Sequence, residues 1–169
     1  MSPEDPLAPS IRYRWTVLVM LTLVYTFNFI DRQILVILQE PHKADLGLSD
    51  AQLGLLSGFS FALVYVTAGI PIAWLADRGN RRNIVAVSLG FWSFMTALSG
   101  LAQNYGQLLA ARIGVGIGEA GGSPPSHSMV SDYFPAKQRG TALSFYSTGI
   151  YIGILIGFAA GGWIAETFG

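Results

Sequence analysis

Apolar residues gather along this chain into five long runs, at about residues 15–38, 51–75, 84–102, 107–129 and 141–163. A helix needs roughly 20 consecutive apolar residues to cross a bilayer, and each run is long enough. The pattern predicts an all-α polytopic membrane protein with five spans and short polar turns. Residues 1–13 read as a disordered cytoplasmic tail, with three prolines in the first ten positions, and residues 14–169 as the transmembrane bundle. The first run is longer than the 7–15 residue core of a signal peptide and lacks a small-residue cleavage site, so it reads as an uncleaved span. Glu40–Leu48 reads as a loop, and Ser49-Asp50-Ala51-Gln52 as a capping box opening the second span. Gly69 and Pro71 are expected to bend that span, and Pro124 and Pro125 to interrupt the fourth. Residues 132–139 read as a loop before the fifth.

Composition agrees with the runs. Apolar types make up 51% of the 169 residues and charged types 12%, about half the share usual in a soluble domain. The formal net charge is zero, which gives no reason to expect a nucleic-acid partner. There is no cysteine, and the two histidines are far apart, so no metal set and no cofactor is expected. No phosphate-binding loop or activated nucleophile is present; Gly114-x-Gly116-x-Gly118 lies inside a span and reads as helix packing, and the reading is not that of an enzyme.

Basic residues set the orientation. Arg12, Arg14, Arg78, Arg81, Arg82, Lys137 and Arg139 fall on one side of the five spans and only Lys43 on the other. By the positive-inside rule the first side, with the N-terminus, is cytoplasmic. Small residues suggest where helices meet: Gly54 with Gly58, and Gly149, Gly153, Gly157 and Gly161 at every fourth position.

Four ionisable residues lie where hydrocarbon should be: Asp31, Arg32, Arg112 and Glu119. Each costs on the order of 3 kcal/mol at the centre of a lone helix, so such charges face a bundle interior or a wet cavity. Thr22, Tyr25, Asn28 and Arg32 share one helix face, and Arg112 and Glu119 share another, ~10 Å apart. A carboxyl in a dry site holds its proton, and a nearby cation loosens it. That combination suits a proton carrier, with Glu119 first and Asp31 second, while Arg32 and Arg112 receive an anionic group of a substrate with Asn28 and Tyr25 beside them. The alternative is a static salt bridge joining two helices. His127 reads as a capping or hydrogen-bonding residue at the broken end of the fourth span, with a proton-relay role as the alternative.

Asp77-Arg78-Gly79-Asn80-Arg81-Arg82, between the second and third spans, resembles the signature loop of the major facilitator superfamily, with Asn80 in place of a glycine and Ala73 in place of another. A left-handed backbone at Asn80 would make that exchange mild. Asn28-Phe29-Ile30-Asp31-Arg32, Arg112 to Ala120, Asp132-Tyr133-Phe134-Pro135 and Arg139-Gly140-Thr141-Ala142 resemble the spinster-type subgroup. The resemblance implies the N-terminal bundle of a twelve-helix transporter, a role for Asp77, Arg78, Arg81 and Arg82 in the inward gate, and proton-linked movement of an amphiphilic lipid, such as a lysophospholipid or sphingoid phosphate, by alternating access. It also implies a monomer whose remaining partners are membrane lipids and its own C-terminal helices; the style of the sequence suggests a bacterial inner membrane. The glycines at every fourth position of the fifth span resemble an antiporter motif without its proline, which leaves the direction of coupling open. Two other readings stand beside this one: a proton symporter for small organic anions such as sugar acids, and a non-transporting membrane protein.

Overall fold

A computed structural model describes residues 9–37 and 39–168, apart from the side chains at 41, 42, 45 and 168. The tail over residues 1–8 and the side chain of His42 lie outside these. The described residues are helical almost throughout, in the order α1 (Ile11–Ile37), α2 (Gln39–Leu46), α3 (Asp50–Gly54), a wide π turn (Leu55–Phe59), α4 (Ser60–Arg78), α5 (Arg81–Ser99), α6 (Tyr105–Ala120), α7 (Ser123–Tyr133) and α8 (Ala136–Phe168). Among the described residues α1, the rod Asp50–Arg78 and Ala136–Thr167 are long and apolar enough to cross a membrane by length and composition alone. With α5 and the broken α6–α7 pair they make the five expected rods.

The boundaries moved for identifiable reasons. α1 starts at Ile11, inside the expected tail, because the Ser10 carbonyl and hydroxyl accept from Arg14 N and Tyr13 N. The predicted loop at Glu40–Leu48 is itself helical over α2 and turns at Gly47, whose φ of +63° suits a residue without a Cβ. The capping box forms as expected, with Gln52 N donating to Ser49 Oγ at 3.3 Å and Ser49 N to Gln52 Oε1 at 2.8 Å. The helix runs on through Pro71, and the second rod carries a π turn at Leu55–Phe59. The predicted loop at 132–139 shrinks to Phe134-Pro135, since α7 reaches Tyr133 and α8 begins at Ala136.

Glycines decide which helices meet. Methyl groups built at Gly149, Gly153 and Gly157 would lie 2.8 Å from Thr22 O, 2.6 Å from Thr26 O and 2.6 Å from Gln33 Cβ. The stripe on α8 therefore lets the α1 backbone come into direct contact. α6 is the hub. Gly114 and Gly118 seat Met95 and Trp92 of α5, and Gly116 seats Phe61 of α4. Gly54 and Gly58, by contrast, have nothing within 4 Å of a built Cβ, so this pair is not a packing seam among the described residues. The second rod is bare over most of its length, with Phe59, Leu63, Val66 and Ile70 all strongly exposed. Its outward apolar face is the reverse of a soluble helix and fits a surface meant for lipid or for further helices.

Candidate functional site in the membrane interior

The chain breaks beside its most buried acid. Gly121 N donates to Gly118 O at 3.1 Å and Gly122 N to Glu119 O at 3.0 Å, two tight contacts that end α6. Ser123 and the two prolines then start α7, because proline at the first helical turn needs no N–H partner. A Cβ at Gly121 would sit 2.0 Å from Ser88 Oγ, so only glycine lets α5 pass this close. Glu119 is 1% exposed at the last turn before the break.

Arg32 reaches across from α1. Its Nε donates to Glu119 Oε2 at 2.9 Å, and its Nη2 stands 2.7 Å from the same oxygen. The Asn28 amide lies beside the carboxyl. Around the guanidinium stand Phe29, Phe61 and Tyr65, with ring centroids 5.4, 4.8 and 5.5 Å from Cζ. The Arg32 side chain keeps 32% of its surface exposed while that of Glu119 keeps none. The pair is therefore sealed on its acidic side and open on its basic side, where an anion would approach.

Arg112 is 6% exposed. It lies in the field of Glu119 and of Asp31, closing an ion pair with neither, and its Nε has no hydrogen-bond partner. Its guanidinium stands 5.7 Å from the Phe61 ring that Arg32 also faces. Both guanidinium groups thus stand within attractive range of the one Phe61 ring. Asp31 faces Arg112, Thr96 and Trp92. Asp31, Arg32, Arg112, Glu119 and Asn28 lie near one another in the structure, and Phe61, Tyr65, Trp92 and Thr96, which the sequence reading did not single out for the site, lie beside them. The missing signal was helical spacing: Phe61 with Tyr65, and Trp92 with Thr96, are pairs four residues apart and share a face.

Tyr25 borders the charges, and the other expected residues sit further off. Tyr25 stacks on Tyr146 of α8, with centroids 4.5 Å apart and planes 6° apart, and stands edge-on to Phe29. Thr22 and Thr26 bond back to their own helix at Leu18 O and Thr22 O and meet the α8 glycines rather than the charges. His127 does not cap the break. It lies in the body of α7, four residues past Ser123, edge-on to Tyr146 at 5.0 Å.

At the basic end, the four residues of the predicted gate loop separate. Arg81 pairs with Asp132, tying α5 to the end of α7. Arg78 lies over the Trp74 ring at 4.0 Å. Asp77 and Arg82 are exposed. Asn80 is not left-handed; at φ −80° and ψ 103° it is the extended cap of α5, its side chain accepting from Asn83 N at 3.4 Å. Asparagine suits the position as a helix cap. At the opposite end Lys43 holds Asp50 at 2.5 Å, and this bond raises the Lys43 pKa above its ordinary 10.5.

A helical membrane bundle with buried charges of both signs on two facing helices and an arginine-rich turn between its second and third rods defines a class of protein. The family model described as Major Facilitator Superfamily matches residues 21–169, and the chain belongs to that superfamily. Within it the chain is similar to spinster-type proteins. It superposes on the crystal structure of a bacterial homologue of the human lysosomal transporter spinster, in an inward-facing and occupied conformation, with a TM-score of 0.89 and 47% identity. That match covers 94% of this chain and 34% of the other. A protein named an MFS-type efflux pump in Mycolicibacterium smegmatis is 39% identical over 94% of this chain. A protein of Bacillus subtilis named as a galactarate/D-glucarate transporter is 35% identical over 97%. The chain spans about 37% of the length of each of these two relatives.

Proposed function

We propose that the protein to which this chain belongs is a secondary active transporter that couples protons to the movement of an amphiphilic anion, of the lysophospholipid or sphingoid-phosphate kind, by alternating access. The single observation that carries this reading is the Arg32–Glu119 pair, with its acid sealed and its base open. An incoming anion competes with Glu119 for Arg32. A freed carboxylate in so dry a place takes a proton, because an unpaired buried charge is costly. Loading of substrate and of proton are then linked through one guanidinium. Asp31 is the second carrier, and Arg112 is the second cation for the anionic group.

The amphiphilic character of the cargo is supported by the aromatic walls beside Arg32 and by the similarity to spinster-type proteins. The second reading, a symporter for small sugar acids, is favoured by the similarity to the B. subtilis protein. In either reading the exchange of Arg81–Asp132 and of exposed Asp77, Arg78 and Arg82 for other partners works the gate on the cytoplasmic side, with the N-terminus on that side of a bacterial inner membrane. His127, exposed and edge-on to Tyr146, is the remaining candidate for a proton relay. The test is uptake into proteoliposomes by the full-length transporter under an imposed pH gradient, with a fluorescent lysophospholipid in one arm and labelled galactarate in the other. Gradient-driven movement of the lipid alone supports the first reading. Movement of galactarate alone replaces it with the second, and gradient-independent movement of both refutes the coupling.

A further inference from the structure

Buried polar atoms in folded proteins nearly always have partners. Among the described residues five buried side-chain atoms lack one: Trp92 Nε1, Thr96 Oγ1, Tyr105 OH, Arg112 Nε and Glu119 Oε1. Four of the five surround a single place, the meeting of α1, α5 and α6. Trp92 and Thr96 lie against the Asp31 carboxyl without closing a bond to it. Each is a donor that gains from a charged acceptor and loses that gain when the acceptor is neutral. Trp92 is 1% exposed and wedged on its other side. Methyl groups built at Gly118 and Gly122 would lie 2.8 Å from its Cβ and 3.4 Å from its Cζ3. One edge of the indole thus faces Asp31, and the other edge abuts the α6–α7 break beside Glu119.

From this placement we infer that Trp92 and Thr96 are positioning residues that read the protonation state of Asp31, and that Trp92 transmits it to the Gly121–Gly122 break. With Asp31 ionised, the indole N–H and the Thr96 hydroxyl donate to it and hold α5 against α1. With Asp31 protonated, the hold slackens and the indole is released toward the break. The other charged groups at this place are Arg112 and Glu119 of α6 and Arg32 of α1; none of them supplies a neutral donor that a proton on Asp31 would switch off. The inference rests on the part of the reading above in which Asp31 gains and loses a proton, not on that proton driving transport.

The experiment uses the full-length transporter with Thr96→Val, Thr96→Ser and Trp92→Phe. Valine keeps the shape of threonine and loses the hydroxyl; serine keeps the hydroxyl. Losing a donor to a charged acceptor favours the protonated form. Thr96→Val and Trp92→Phe are therefore expected to move the half-maximal pH of gradient-driven uptake upward by about one unit, while Thr96→Ser leaves it in place. Infrared titration of the purified protein follows the carboxyl C=O band that disappears in Asp31→Asn, and this band is expected to shift in the same sense without any transport being measured. A shift of the band in a protein that shows no pH-driven uptake keeps the inference and refutes the proposed function. An unchanged band in Thr96→Val overturns the inference even if Trp92→Phe fails to fold.

Discussion

Replacing Glu119 with glutamine separates a proton carrier from a static lock. The exchange keeps the shape of the side chain and an oxygen able to accept from Arg32 Nε, now 2.9 Å away, but removes the charge. Two unit charges about 4 Å apart attract by roughly 4 kcal/mol at an effective dielectric constant near 20. Against that stands a desolvation cost of several kcal/mol per ion, and Glu119 is sealed completely. The two terms nearly cancel, so losing the charge costs about 1–2 kcal/mol in stability. The three rings around Arg32 limit the loss further by holding the guanidinium in place, at about 0.5–1 kcal/mol for each exposed contact. Glu119→Gln should therefore keep its thermal unfolding midpoint in detergent to within a few degrees while losing pH-driven uptake. Arg32→Met is the opposite perturbation. It strands a carboxylate whose other oxygen is already without a partner, and it should cost about 3–5 kcal/mol. Full pH-driven uptake by Glu119→Gln would remove the carrier role. A collapse of its stability to the level of Arg32→Met would show that the pair is a lock and that attraction and desolvation do not cancel in it.

Gly153→Ala places a methyl group 2.6 Å from Thr26 O and 2.7 Å from Phe29 Cβ, and should lower stability by about 1–3 kcal/mol; Gly54→Ala meets open space and should be neutral or stabilising by up to about 1 kcal/mol, both read by thermal unfolding. Asn80→Ala removes the α5 cap and should cost about 1 kcal/mol, whereas Asn80→Gly, the residue usual in the superfamily loop, should cost only a few tenths. Lys43 has its pKa raised by Asp50 in the folded protein, so its contribution is complete below its unfolded value of about 10.5 and is lost as pH rises through the folded value. The stability difference between the parent and Lys43→Met should accordingly stay constant from pH 5 to 8 and fade only in strong base.

Membership of a polytopic helical class was already legible in the residues. Five apolar runs, a one-sided distribution of arginines and four charges inside the runs follow from residue type and spacing, because hydrocarbon tolerates helices and little else. The ion-pairing of α1 with α6 was legible in the same way, since buried charges need opposite partners. The glycine stripe at 149, 153, 157 and 161 was legible as a smooth face, but the identical spacing at Gly54 and Gly58 predicted a contact that the described residues do not make. Spacing says which side chains share a face, and only the packed structure says what the face meets. For the same reason the tertiary structure alone chose Arg32 rather than Arg112 as the partner of Glu119. It alone made Asn80 a cap, turned Tyr25 toward Tyr146, and brought Phe61, Trp92 and Thr96 from the second and third rods to the charges. Those residues look like ordinary lipid-facing or core positions in the sequence, and their place at the site depends on helix rotation, which is set by where glycines let two backbones touch.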